Sequence, residues 1–182
     1  KQPLDRWCQA KYAMEVFASM LGSDDTMNVY VMSDFDRRGY NKSDAAPHLT
    51  LSGSDGQKNN VAKVHDMVTE LGNTPFNSVK KAYSDLSAQG DEKWLVVLTD
   101  GDFEHIAKSD VQKFFASKDA SVHVMFLSMG KSASGANGSI LPDESKNIFY
   151  EEALNSSDIL SKITGISTRI FNSNRLPDAN VQ

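Results

Sequence analysis

The chain has 182 residues, 40% of them hydrophobic and 24% charged, which is enough apolar material for a substantial core and predicts one globular domain spanning residues 1–182. No apolar run approaches the roughly 20 residues that a membrane-spanning helix needs, so no membrane insertion by this domain is expected. The formal charge of -5, with lysines and arginines scattered along the chain rather than gathered in a basic stripe, gives nucleic-acid binding little electrostatic support.

Trp7, Met14, Phe17 and Leu21, helped by Ala10 and Ala13, recur at helical spacing and predict an amphipathic helix from Leu4 to Leu21. Cys8, the single cysteine, allows no internal disulfide and no thiolate zinc cluster, and reads as a small buried apolar residue. Gly22-Ser-Asp-Asp25 stops the helix. Val29-Tyr-Val-Met32 then predicts a strand that runs out into Ser33-Asp-Phe-Asp36. A polar loop leads to a weak strand over His48–Ser52, expected at a sheet edge, and Gly53-Ser-Asp-Gly56 turns the chain into a helix marked by Val61, Val64, Val68 and Leu71.

Gly72 ends that helix, and Thr74-Pro75 opens another whose apolar face is Phe76, Val79, Tyr83 and Leu86; Thr74 stands where an N-cap belongs, with proline at the first helical position. Trp94 to Leu98 is a nearly unbroken apolar run, the pattern of a parallel strand covered on both faces. A short helix over Ser109–Ala116, strands over Val122–Leu127 and Asn147–Tyr150, and a helix over Ser156–Ile166 complete the order, with a Gly/Ser-rich loop from Met129 to Gly138. The alternation predicts an α/β fold: three layers, a Rossmann-like, mostly parallel sheet with helices on both faces, and one antiparallel edge strand.

Ligands of open α/β sheets bind beyond the carboxyl ends of the parallel strands. Asp100, in the stretch Thr99-Asp-Gly-Asp102, is at such an end, although the same residues also suit an ordinary polar turn. Asp100 and Thr74 offer a carboxylate and a hydroxyl, hard oxygen donors suited to Mg²⁺ or another hard divalent cation. Thr74 reads equally as an ordinary helix cap. The histidines, His48, His65, His105 and His123, have no metal-pair spacing.

The order of elements, together with GNTPFNSVKKAYSDL and WLVVLTDGDF, resembles von Willebrand factor type A domains from about Leu4 to Leu176, including the closing pattern IFYEEALNSSDILSKITGI. In that family a Gly-x-Thr-Pro loop and a strand ending Thr-Asp-Gly line a metal-ion-dependent adhesion site. The resemblance implies metal-site roles for Thr74 and Asp100, with Mg²⁺ as the cation or Mn²⁺ or Ca²⁺ in its place, and leaves Asp102 as a turn residue or outer acceptor. It further implies a non-enzymatic protein-binding or adhesion module, extracellular or at the cell surface, whose partner is a protein ligand or a matrix or surface component.

One departure is large. The family's first strand, ending Asp-x-Ser-x-Ser, has no counterpart before Trp7, and Ser33-Asp-Phe-Asp36 follows the first helix and lacks the two serines. In the family that strand is central, so its loss would leave unpaired backbone between two sheet fragments. The expectation is that it precedes Lys1 in a longer parent protein, or that another chain donates it in a strand-swapped oligomer.

A second reading takes Asp100-Gly-Asp102 as the Asp-x-Asp of a haloacid-dehalogenase-type phosphoryl-transfer enzyme, Asp100 the nucleophile, Asp102 the general acid and Ser128 a phosphate-holding hydroxyl. That motif normally opens its domain, whereas more than half of this chain precedes it. Gly130-Lys-Ser132 lacks the glycine-rich cradle of a phosphate-binding loop, with Met125 where its first glycine is required. Asn41, Asn137 and Asn155 begin short glycosylation patterns of the kind that arise by chance.

Overall fold

The computed structural model describes residues 2–37, 40–68, 72–88, 92–99, 103–104, 106–129 and 140–171. Helix α1, Gln2–Ser19, forms where the apolar spacing predicts it. Its inward stripe is Ala13, Met14, Phe17 and Ala18, all buried. Cys8 falls on the opposite face and is exposed, correcting its expected burial: at 100° per residue it lies in line with exposed Tyr12 rather than with Met14 and Phe17.

Strand β1, Thr26–Val29, pairs antiparallel with β4, Leu49–Ser52, setting Thr26 opposite Ser52 and Val29 opposite Leu49. It lies about one turn earlier than the apolar run 29–32 suggests, and Met32–Asp34 form a 3₁₀ turn. Pairing with β4 sets these limits, because a strand is defined by its ladder more than by local apolar content. A two-residue hairpin, β2 (Asp36–Arg37) with β3 (Tyr40–Asn41), sits between them in sequence.

The turn after β4 comes so close to the end of α1 that a Cβ at Gly53 would lie 1.6 Å from the Gly22 carbonyl oxygen. Helix α2, Gln57–His65, follows. It ends earlier than expected, with Val68 exposed and residues 69–71 outside the described set. Asn60, fully buried, donates from Nδ2 to the Ser52 carbonyl at 2.8 Å and ties α2 to the end of β4.

Helix α3, Asn77–Ser87, precedes β5, Lys93–Thr99; α4, Lys108–Ala116, precedes β6, Val122–Met129; and β7, Ile148–Ala153, precedes α5, Ser156–Phe171. The three strands form a parallel sheet in the order β5-β6-β7. β6 is buried along almost its whole length, the burial expected of a central parallel strand. Leu95, Val97, Val124 and Phe126 pack with Val79 of α3 and with Val111 and Phe115 of α4. Met125, Leu127 and Met129 pack with Ala13 and Phe17 of α1 and with Ile159 and Ile163 of α5. β5 itself alternates: Leu95 and Val97 are buried, whereas Trp94, Val96 and Leu98 are half-buried.

Asn155 begins α5 as its N-cap, its Oδ1 accepting from the amides of Ser157 and Asp158 at 3.0 Å each, which gives this asparagine a local structural use. A third cluster joins Met14 and Ala18 of α1 to Val29, Leu51 and Val64. The fold is therefore α/β with a three-stranded parallel sheet and a separate two-stranded antiparallel sheet, β1-β4. Among the described residues no helix is long and apolar enough to cross a membrane.

The Gly53 contact is backbone against backbone, so no rotamer change can relieve an added methyl group. Gly53→Ala is expected to lower stability by about 3 kcal/mol, the upper range for overpacking, read as a fall in the urea midpoint with an unchanged m-value.

Candidate functional site

Thr74 lies half-buried in the loop between α2 and α3. It is not the N-cap of α3: that helix begins at Asn77 and its cap position is Phe76, whose side chain makes no capping hydrogen bond. The backbone explains the difference. The Thr74 carbonyl accepts a 2.9 Å hydrogen bond from the Glu104 amide, and Pro75 forms an isolated parallel bridge with Glu104. The chain is thus extended through Thr74 and Pro75, and the turn into the helix comes after them. Ser78 closes that turn, its Oγ donating to the Pro75 carbonyl at 2.8 Å.

Aromatic packing holds the same two segments together. The Phe76 ring meets Phe103 edge-on with centroids 5.1 Å apart, and meets Phe114 and Phe115 of α4 at 5.3 and 5.9 Å. Phe76 and Phe103 are 2% and 7% exposed, so both contacts are desolvated. The loop carrying Thr74 is therefore fastened beside the segment that leaves β5. Asp100 and Asp102 lie outside the described residues, as do Gly101, His105 and the 130–139 stretch. Their described flanks are Thr99, the buried last residue of β5, and Phe103. Ser128 is 1% exposed and stands opposite Thr99 in the β5-β6 register.

Two further oxygen-bearing residues approach this corner from the segment after β1. A Cβ at Gly72 would lie 3.0 Å from Ser33 Cβ, so the glycine lets the loop close onto the 3₁₀ turn. Asp36, only 8% exposed, accepts a 2.6 Å hydrogen bond from Asn73 Nδ2. Neither Ser33 nor Asp36 was expected near Thr74, because Ser33-Asp-Phe-Asp36 reads as the end of another strand. The available signal was the one that singled out Asp100, acidic residues just past an apolar run. The hydroxyls of Ser33 and Thr74 and the carboxylate of Asp36 are hard donors of the kind that suits Mg²⁺. Among the described residues no group of three or more His, Cys, Asp or Glu side chains is arranged to hold a metal ion.

Thr74 also borders a cavity of about 560 Å³ that continues between β1 and β5 and is lined by residues 26–33, 72–74 and 94–99, with Met14 and Phe17 of α1. Across it, the Tyr30 hydroxyl just after β1 donates to the Asp85 carboxylate on α3. Lys81 Nζ donates to the other Asp85 oxygen at 2.7 Å. Burial pushes the Tyr30 hydroxyl well above its ordinary range, reinforced by the hydrogen bond to Asp85 and by its charge. Burial also pushes the Asp85 carboxyl up, but the hydrogen bonds from Lys81 and Tyr30 and the Lys81 charge outweigh it, leaving a net downward shift.

Two tests follow from these contacts. Removing the donor in Asn73→Ala leaves the buried Asp36 carboxylate one charge-assisted hydrogen bond short, an expected loss of about 2 kcal/mol by chemical denaturation. The tyrosine has the opposite pH sense from the aspartate. A phenol held protonated in the folded state stabilises fully below its unfolded value of 10.0 and less as pH rises beyond it. The depressed Asp85 stabilises fully above its unfolded value of 3.8 and less as pH falls below it. Urea midpoints across pH 3–11 should therefore show a weaker alkaline decline in Tyr30→Phe and a weaker acid decline in Asp85→Asn.

No protein-family model matches this sequence, and a search of curated proteins finds no match to it.

Proposed function

We propose that the chain is a non-enzymatic binding module resembling von Willebrand factor type A domains, acting outside the cell or at its surface on a protein ligand or a matrix component. In this reading residues 1–182 form one domain, and the two sheets are parts of one three-layer, Rossmann-like arrangement with β4 as its antiparallel edge. The observation that carries the reading is the backbone bond from Glu104 to the Thr74 carbonyl. It supports a common corner for the Gly-x-Thr-Pro loop and the exit of β5, the two segments from which such a site draws its ligands.

Thr74 would supply a hydroxyl oxygen and Asp100 a carboxylate to Mg²⁺, with Mn²⁺ or Ca²⁺ as substitutes. Both are hard donors, and a cation that keeps an open position could take a carboxylate from the partner protein. Two protein ligands hold such an ion weakly. Ser33 and Asp36 bring further oxygen groups to the same corner, and Asn73 keeps the Asp36 carboxylate oriented.

Calorimetric titration of the chain with Mg²⁺ and Mn²⁺ is expected to show weak binding at most, in the millimolar range, reduced in Thr74→Ala and abolished in Asp100→Ala. Tight binding that Asp100→Ala leaves intact would remove Asp100 from the site. The same preparation should not hydrolyse a generic phosphate ester. Magnesium-dependent hydrolysis that disappears in Asp100→Asn would instead establish the aspartyl-phosphate chemistry of the second reading.

A further inference from the structure

Residues 42–48 lead from β3 to β4 without a helix or strand of their own, and none of them is buried. Backbone bonds pin both ends of the run. The Lys42 amide donates to the Phe35 carbonyl at 2.7 Å, and the His48 amide to the Val29 carbonyl at 2.8 Å. Phe35 and Val29 are buried, so each pin is set in the core. Side chains reinforce them: Asn77 Nδ2 donates to the Lys42 carbonyl at 3.1 Å, and His48 Nδ1 lies 2.9 Å from Asp34 Oδ2.

Between the pins the fastening is much thinner. Among the described residues, the polar contact that holds 43–47 is the ion pair of Asp44 Oδ1 with Lys81 Nζ on α3, 3.5 Å apart, and the Asp44 side chain is 85% exposed. No residue of 43–47 enters a hydrophobic cluster. Exposed pairs of this kind are weak and are screened by salt. Lys81 also has a second partner, Asp85 Oδ1 at 2.7 Å, one helical turn further on. When Asp44 departs, Lys81 keeps a carboxylate and Asp44 passes into water, so no buried group is left without a partner. Movement of the buried Asp36 would instead break its bond from Asn73, so β2 stays in place. Gating elements are drawn from such weakly held segments.

We infer that residues 43–47 are a flap against α3, hinged at Lys42 and His48 and latched by the ion pair of Asp44 with Lys81, whose opening is set by ionic strength. The latch is the outer member of a chain of contacts that runs from Asp44 through Lys81 and Asp85 to Tyr30. Asp85 and Tyr30 stand on the wall of the cavity between β1 and β5. The flap therefore lies at the solvent end of the polar contacts that span the opening between the two sheets. Neither hinge nor latch involves Thr74 or Asp100, so the flap is independent of whether those residues hold a cation.

Nitroxide labels at Ala46→Cys and Ser84→Cys, both exposed positions, in a Cys8→Ser background report the distance from flap to α3 by pulsed electron paramagnetic resonance. Spectra are compared between about 0.01 M and about 1 M salt, over which the screening length falls from about 30 Å to about 3 Å. At low salt one short distance is expected to dominate. At high salt the ratio of open to closed population should rise about 1.5- to 5-fold, the range for an exposed ion pair. Asp44→Asn is expected to show the high-salt ratio already at low salt and to respond little to further salt. A distance distribution in Asp44→Asn that matches the parent at low salt, or an equal salt response in both proteins, overturns the inference. The salt comparison needs no substitution at the latch, so a parent whose distances do not move with salt overturns it by itself.

Discussion

The Phe76 ring is the point on which the candidate site depends. It lies against Phe103 after β5 and against Phe114 and Phe115 of α4, and so fastens two loops and a helix at one place. Ordering the four residues 72–75 costs about 4–8 kcal/mol of backbone entropy. Burying Phe76 and Phe103 returns about 2–3 kcal/mol each, and each edge-on aromatic pair adds about 1 kcal/mol. These terms are of similar size. Aromatic packing, with the Glu104 to Thr74 hydrogen bond, is thus sufficient to hold Thr74 in place without relying on a bound ion.

Away from that corner the core is divided unequally. β6 receives side chains from α3 and α4 on one side and from α1 and α5 on the other, which is why its burial is nearly continuous. β5 has the same neighbours but, among the described residues, pairs in a ladder only with β6, and its second row of side chains, Trp94, Val96 and Leu98, stays half-buried. On the far side of the opening α1 binds β1, β4 and α2 through Met14, Ala18, Val29, Leu51 and Val64. The Tyr30, Asp85 and Lys81 contacts span the opening with polar groups where apolar packing is thin. α1 contributes to both sides, so the two sheets share a helix although, among the described residues, they share no ladder.

Much of this was legible in the sequence where local pattern and long-range packing agree. Trp7, Met14 and Phe17 mark α1 because one helical face meets the core, and the apolar runs at 94–98 and 122–127 become β5 and β6 because both lie in a parallel sheet. Two of the misreadings have one physical form, a distant partner overriding a local signal. Val29 to Met32 has strand composition, but the ladder with β4 places β1 earlier. Thr74-Pro75 has helix-start composition, but the bridge to Glu104 extends the backbone there and moves the helix start to Asn77. Cys8 has core composition but falls on the wrong side of its helix. Asp36 was missed near the candidate site because its proximity to Asn73 depends on how two loops fold back, and neither loop has a periodicity that reports it. Thr74 was singled out by its motif, and its backbone is bonded to Glu104, in the segment that follows β5.

The cavity has an optical consequence. The chain contains two tryptophans, Trp7 and Trp94, and both stand on the cavity wall. Trp94 is stacked on His123 with centroids 4.6 Å apart, and its indole nitrogen donates to Glu92. The tryptophan emission of the protein, excited where tyrosine does not absorb, therefore originates at the opening between the two sheets. Its emission colour and its quenching by iodide or acrylamide report how wet that opening is, without a label and without contribution from any other part of the fold.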